Sequence, residues 1–292
     1  MSININQKYK GVLCIILSAF CFAFMNAFVR LSGDLPSIQK SFFRNFVAFF
    51  FALIILIRSK EKIKITKESV PYLLLRSIFG TLGILCNFYA VDHLLLSDAS
   101  MLNKMSPFFT ILFSFLILKE RLTVFQTVSV IIAFLGSLFI IKPTFTNLDL
   151  LPSLLGLLGG IGAGAAYTMV RKLGSLGVKG PFVVLFFSGF SCAVTLPFLI
   201  IDFVPMTWIQ LLMLLGAGLS AAGGQFSITA AYYYAPAREI SVYDYSQIVF
   251  AALLGFILFG QIPDVLSFLG YIIIIGVAVV MFWYNNRNER KK

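Results

Sequence analysis

A chain of 292 residues that is 59% hydrophobic and 12% charged, with a mean hydropathy of +0.94, has more apolar surface than a water-soluble domain of that length can bury. A soluble enzyme or binding module is excluded, and the bilayer is its solvent. The formal net charge of +11 would suggest nucleic acid in a soluble protein. Here the cations sit between apolar runs with no aromatic interleaving on a solvated face, so they encode topology instead.

Runs long enough to cross about 30 Å of hydrocarbon as helices are predicted at 11–31, 37–57, 70–91, 97–118, 122–141, 152–170, 181–201, 207–230, 240–260 and 263–284. The reading is an all-α polytopic membrane protein with ten transmembrane helices, five per half. The first run follows Lys8 and Lys10 but lacks a small-residue cleavage site, and nine more follow it, so it is expected to stay as a span. With the N-terminus placed inside, the cytoplasmic side holds Lys8, Lys10, Arg58, Lys60, Lys62, Lys64, Lys67, Lys119, Arg121, Arg171, Lys172, Lys179 and Arg238, and a tail with Arg287, Arg290, Lys291 and Lys292. Only Arg30, Lys40 and Lys142 fall outside. This bias predicts a multi-pass protein of the cytoplasmic (inner) membrane with both termini cytoplasmic.

The chain also reads twice. Adding 141 to a residue number pairs Val29 and Arg30 with Val170 and Arg171, Gly33 with Gly174, Gly83 with Gly224, Ala90 with Ala231 and Asp98 with Glu239. A register of that length implies duplication, with a first repeat over 1–146 and a second over 147–292. Because each copy holds an odd number of spans, the second enters the bilayer from the opposite side. Inverted repeats of this kind underlie alternating access in many transporters.

Catalytic chemistry has little to work with. Cys14, Cys21, Cys86 and Cys192 fall in spans without CxxC spacing, His93 is the only histidine, and no HExxH, GxSxG or GxxxxGK[ST] occurs. No catalytic residue, metal site or cofactor is expected.

Polar residues inside the spans are the informative exceptions. A charge in hydrocarbon costs at least about 2.5–3.5 kcal/mol, so Arg44, Arg76, Lys104 and Asp244 are expected to face a wet cavity or one another. In the third span Tyr72, Arg76, Gly80, Gly83 and Asn87 recur at helical spacing. In the fourth, Ser100, Asn103, Lys104 and Pro107 do so, and in the ninth Ser241, Asp244 and Tyr245. Arg76 has a second reading, because it lies near its helix end and can snorkel to the headgroups. Lys104 and Arg44 likewise could form structural pairs with Asp98 or Asp244. Asp98 and Glu239 are expected to cap helix starts, and Pro107 to kink the fourth span. Tyr167, Tyr243 and Tyr245 can stack a planar solute or simply pack. Gly156, Gly160 and Gly164 form a small-residue face for close helix approach, and Gly216, Gly218, Gly223 and Gly224 act similarly in the eighth span.

The stretches "FFRNFVAFF" (42–50), "LLRSIFGTLGILCNFYAVDHLLLSDASMLNKMSPFFTILFSFLILKERLT" (74–123) and "GAGLSAAGGQFSITAAYYYAPAREISVYDYSQIVFAALLGFILFGQIPD" (216–264) resemble the drug/metabolite transporter superfamily. The likeness is to its ten-helix EamA-type members, including bacterial amino-acid exporters and S-adenosylmethionine carriers. The resemblance implies two inverted five-helix repeats around a central cavity lined by spans 1–4 and 6–9, with spans 5 and 10 peripheral. It matches Arg44, Arg76, Pro107 and Glu120 to family positions. Lys119, Gln261 and Lys104 depart from the family pattern.

The expected function is secondary active transport of a small polar metabolite, an amino acid or an S-adenosylmethionine-like solute, by alternating access. Without a nucleotide-binding motif the energy comes from a gradient. Arg44, Arg76, Asn87, Asn103, Lys104, Tyr167, Gln225, Asp244 and Tyr245 are the expected substrate-binding residues. A nucleotide-type or phosphorylated solute is the alternative within this class, and a non-transporting assembly or lipid-handling protein the alternative outside it. Expected partners are the solute and membrane lipids, with room for a homodimer and no nucleic acid.

Overall fold

The computed structural model describes residues 5–59, 65–119, 123–141, 150–234 and 241–289, and every regular element among them is helical. In chain order these are α1 (Ile5–Leu31), α2 (Ser37–Ser59), α3 (Ser69–His93), α4 (Leu96–Asn103), α5 (Ser106–Leu118), α6 (Val124–Ile141), α7 (Leu150–Ser175), α8 (Gly180–Ile201), α9 (Trp208–Tyr234), a 3-10 turn (Ser241–Tyr245), α10 (Ser246–Phe259) and α11 (Val265–Glu289). Eight helical segments are long and apolar enough to span a membrane, and shorter apolar helices at Thr127–Ile140 and Tyr243–Phe259 complete the ten. Glu120 and Glu239, with Lys60, Lys62, Lys64, Arg121, Lys142 and Arg238, lie outside the described residues.

The fourth and ninth spans are broken rather than continuous. Lys104 and Met105 leave helical pairing between α4 and α5, and the 3-10 turn gives way to α10 at Tyr245. These breaks fall at equivalent places, because position 104 corresponds to 245 in the 141-residue register. Pro107 therefore does not kink a running helix. It stands in the first turn of α5, where its missing N–H would have had no helical partner anyway.

Packing repeats with the register. α1 runs along α9 and α3 along α7, while α2 crosses α8 and α6 lies against α11. Exchanging the halves turns the first pair into the second and maps each of the other two onto itself. That pattern is a twofold relation between inverted five-helix repeats. It holds at the level of atoms. Ser18 Oγ donates to Gly224 O at 2.9 Å, and its counterpart Gly159 approaches Gly83 so closely that an added Cβ would lie 3.2 Å from Gly83 O. Lipid-directed surfaces carry Leu13, Ile57, Leu82, Ile201, Ile257 and Trp283, all exposed, as a bilayer solvent requires.

The glycine face of α7 meets the broken span directly. A Cβ at Gly160 would lie 2.5 Å from Leu102 O, and one at Gly164 would lie 2.9 Å from Ser106 O. Only hydrogen fits there, so the glycines bring the backbone of α7 onto the break.

Candidate functional site

Between the repeats lies a cavity lined by charged and polar side chains beside apolar ones, the make-up of a small-molecule site. Its walls come from α1, α2, α3, the break after α4, α7, α8, α9 and α10. Spans 5 and 10, here α6 and α11, contribute nothing to the described lining, as the family resemblance implied.

Arg44 enters from α2 and is 1% exposed. Its orientation is set one residue away. Asn45 Nδ2 donates to Ser41 O at 2.9 Å and to Ser191 Oγ on α8 at 2.8 Å, which leaves its carbonyl to accept from Arg44 Nη1 at 2.5 Å. Arg76 rises along α3 instead of snorkelling to the near membrane surface. Its guanidinium packs beside Gly80 and 3.8 Å from the Phe187 ring centroid, with Arg44 5.8 Å from the same ring. A phenyl face attracts a guanidinium without neutralising it. Among the described residues neither Nε has a hydrogen-bond partner, and no carboxylate pairs with either arginine. Two unneutralised cations in a low-dielectric cavity are costly, and an anionic group placed between them removes that cost.

Farther along α3 the walls turn to amides. Asn87 Nδ2 donates to Asn26 Oδ1 at 3.3 Å, and Asn26 Nδ2 to Ser100 Oγ at 3.4 Å. Donation in that sense leaves Asn87 Oδ1 as a buried acceptor with no partner among the described residues. Asn103, Gln225, Gln247 and Tyr167 complete the polar lining.

At the break, Lys104 Nζ pairs with Asp244 Oδ2 at 2.6 Å, and Tyr245 Oη donates to Lys104 O at 3.1 Å. Each repeat thus supplies one charge at its own break. The structure brings Arg44, Arg76, Asn87, Asn103, Lys104, Tyr167 and Gln225 to one cavity, whereas Asp244 and Tyr245 stand behind Lys104 and are absent from the lining. Tyr243 is 38% exposed and packs edge-on against Phe282, away from the site. Asp98 stands in the first turn of α4, where a carboxylate suits the helix N-terminus, and its Oδ1 accepts from Tyr271 Oη at 2.6 Å. At the end of the bundle where α1 and α3 finish, Lys40 pairs with Asp92 at 2.6 Å, and Arg30 donates to the carbonyls of Leu94 and Val91 with its guanidinium over Phe259.

Asn26, Asn45, Phe187 and Gln247 are functional candidates that the sequence pattern did not single out. Gln247 had a signal, as the counterpart of Ser106 beside the other break. Phe187 had none among 32 phenylalanines.

Comparison with known proteins agrees with the two-repeat fold. Residues 9–142 and 150–283 each match the model of the EamA-like transporter family. The chain is 34% identical over 274 residues to the pseudopaline exporter CntI of Pseudomonas aeruginosa, covering 93% of this chain and 95% of that protein. It is 30% identical to an uncharacterized transporter of Helicobacter pylori, covering 92% and 93%, and 26% identical to a riboflavin transporter of Vibrio cholerae, covering 100% and 99%. A solved crystal structure with 15% identity superposes with a TM-score of 0.68 over 96% of this chain and 99% of that one.

Proposed function

Because this chain belongs to the EamA-like transporter family, we propose that it is a secondary transporter of a small carboxylate-bearing metabolite, amino-acid-like or S-adenosylmethionine-like. It works by alternating access in the cytoplasmic membrane with both termini in the cytoplasm. The observation that carries this reading is the pair Arg44 and Arg76, 1% and 4% exposed, lining one cavity between inverted repeats with both Nε atoms unpartnered. A carboxylate offers two acceptors to a guanidinium fork, and the open Asn87 Oδ1 suits an ammonium or amide donor on the same solute. The likeness to a named exporter favours outward movement, driven by a gradient of solute or ion.

Solute binding to the folded state alone raises apparent stability, by about 2.7 kcal/mol at a hundred times Kd. A thermal-unfolding screen of the purified full chain against amino acids, dicarboxylates, S-adenosylmethionine and phosphorylated metabolites is the test. Stabilisation by carboxylate-bearing compounds, lost in Arg76→Met, is expected. Stabilisation by phosphorylated compounds alone would move the reading to the nucleotide-type class, and no stabilisation by any solute would refute it.

A further inference from the structure

Of the charged side chains gathered at the centre of the bundle, Arg44, Arg76 and Lys104 line the cavity and Asp244 does not. Lys104 has three donors, and among the described residues its ammonium pairs with Asp244. The pair is poorly explained as a device for stability. Asp244 is 5% exposed and its Oδ1 has no partner among the described residues, whereas an ion pair that stabilises a buried site satisfies its remaining lone pairs. The break is also held without it, by the Tyr245 hydroxyl on Lys104 O and by the backbone contact between Gly160 and Leu102. Repeat comparison adds that position 104 corresponds to Tyr245 and position 244 to Asn103. The two charges therefore arose separately, one per repeat, at adjacent positions of the same pseudo-symmetric spot.

The geometry points to Asp244 as a specificity-determining positioning residue: an internal carboxylate that holds Lys104 as a masked third anion contact and limits the anionic charge a solute brings. With Lys104 neutralised by Asp244, the two arginines alone set the demand, and a solute with two carboxylates meets it. Removing the Asp244 charge unmasks Lys104 and makes room for a third carboxylate. This rests on the reading of the cavity as an anion site.

The test uses two probes that differ by one carboxylate on the same carbon skeleton, propane-1,3-dicarboxylate and propane-1,2,3-tricarboxylate. They are titrated calorimetrically at pH 8 into the purified full chain in lipid nanodiscs, where every carboxyl is ionised. Asp244→Asn is expected to shift the affinity ratio toward the tricarboxylate by about tenfold or more, the scale of one added charge-assisted contact. The double variant Lys104→Met with Asp244→Asn is expected to return the ratio to wild type. Equal changes for both probes, or none, would make Asp244 a structural counter-ion and overturn the proposal while leaving the arginine site standing. If neither probe binds the wild type, the anion site fails and this inference fails with it. Should Asp244→Asn not fold, Lys104→Met alone decides: a bare Asp244 is expected to shift the affinity ratio away from the tricarboxylate by about tenfold, and equal changes for both probes, or none, would overturn the proposal.

Discussion

Gly160 offers the sharpest mechanical perturbation. An alanine Cβ there would lie 2.5 Å from the backbone carbonyl of Leu102 and 3.3 Å from that of Asn103. Ordinary contact begins near 3.4 Å, so α7 and the broken fourth span must part by about 0.9 Å, and no side chain can rotate away to absorb the clash. Overpacking of this kind costs about 1–3 kcal/mol, against about 1 kcal/mol gained from the helix preference of alanine over glycine. Gly174 lies on the same helix with nothing within 4 Å of an added Cβ, and Gly156 is intermediate, facing only the side chains of Leu102 and Ala90 at 3.1 and 3.2 Å. Equilibrium unfolding in mixed micelles should rank Gly174→Ala as most stable, Gly156→Ala next and Gly160→Ala last, with about 1–3 kcal/mol between the extremes. Equal stability of Gly160→Ala and Gly174→Ala would refute the claim that α7 rests on the break. If the contact opens during the cycle, the same energy biases the two cavity states by roughly 5- to 150-fold, so solute flux should fall more than solute binding.

Arg76→Met should move stability and binding in opposite directions: unfolding becomes harder by about 1 kcal/mol because an unneutralised buried charge is gone, while carboxylate affinity drops by about tenfold or more. Loss of both together would mean that Arg76 is structural. Lys40→Met strands Asp92 at the opposite end of the bundle and should cost about 3 kcal/mol, most of it recovered on adding Asp92→Asn; a double variant no better than the single would show that the two do not serve each other. For topology, a membrane-impermeant thiol probe on intact cells should label Asn147→Cys and not Lys64→Cys. The reverse result would invert the assigned orientation.

Hydropathy made the ten spans legible, because the cost of an unpaired backbone in hydrocarbon leaves few alternatives. The 141-residue register and the odd span count likewise carried the inverted repeat. Polar residues in apolar helices identified Arg44, Arg76, Asn87 and Lys104 as inward-facing, since burial of such groups needs a reason. The helix breaks were not legible: Ser100, Asn103 and Lys104, like Ser241 and Asp244, read as polar faces of running helices, and Pro107 drew attention to a kink where it in fact starts a new helix. Nor could spacing show that Asp244 stands behind Lys104, that Asp98 turns to Tyr271, or that Lys40, apparently an outer-loop cation, is fully buried on Asp92. Each depends on which helix arrives opposite, a property of packing and not of the local pattern. Asn45 shows the same dependence, since its role in aiming Arg44 needs Ser191 from the other repeat.

The most direct test of carboxylate transport is uptake into proteoliposomes containing the full chain, challenged with a mixture of amino acids, carboxylates and phosphorylated metabolites and read by mass spectrometry. Carboxylate-bearing solutes should accumulate with the wild type and fail to do so with Arg44→Met or Arg76→Met, while both variants insert and fold. Accumulation of nothing, or accumulation indifferent to both arginines, would contradict a transporter built on that cavity.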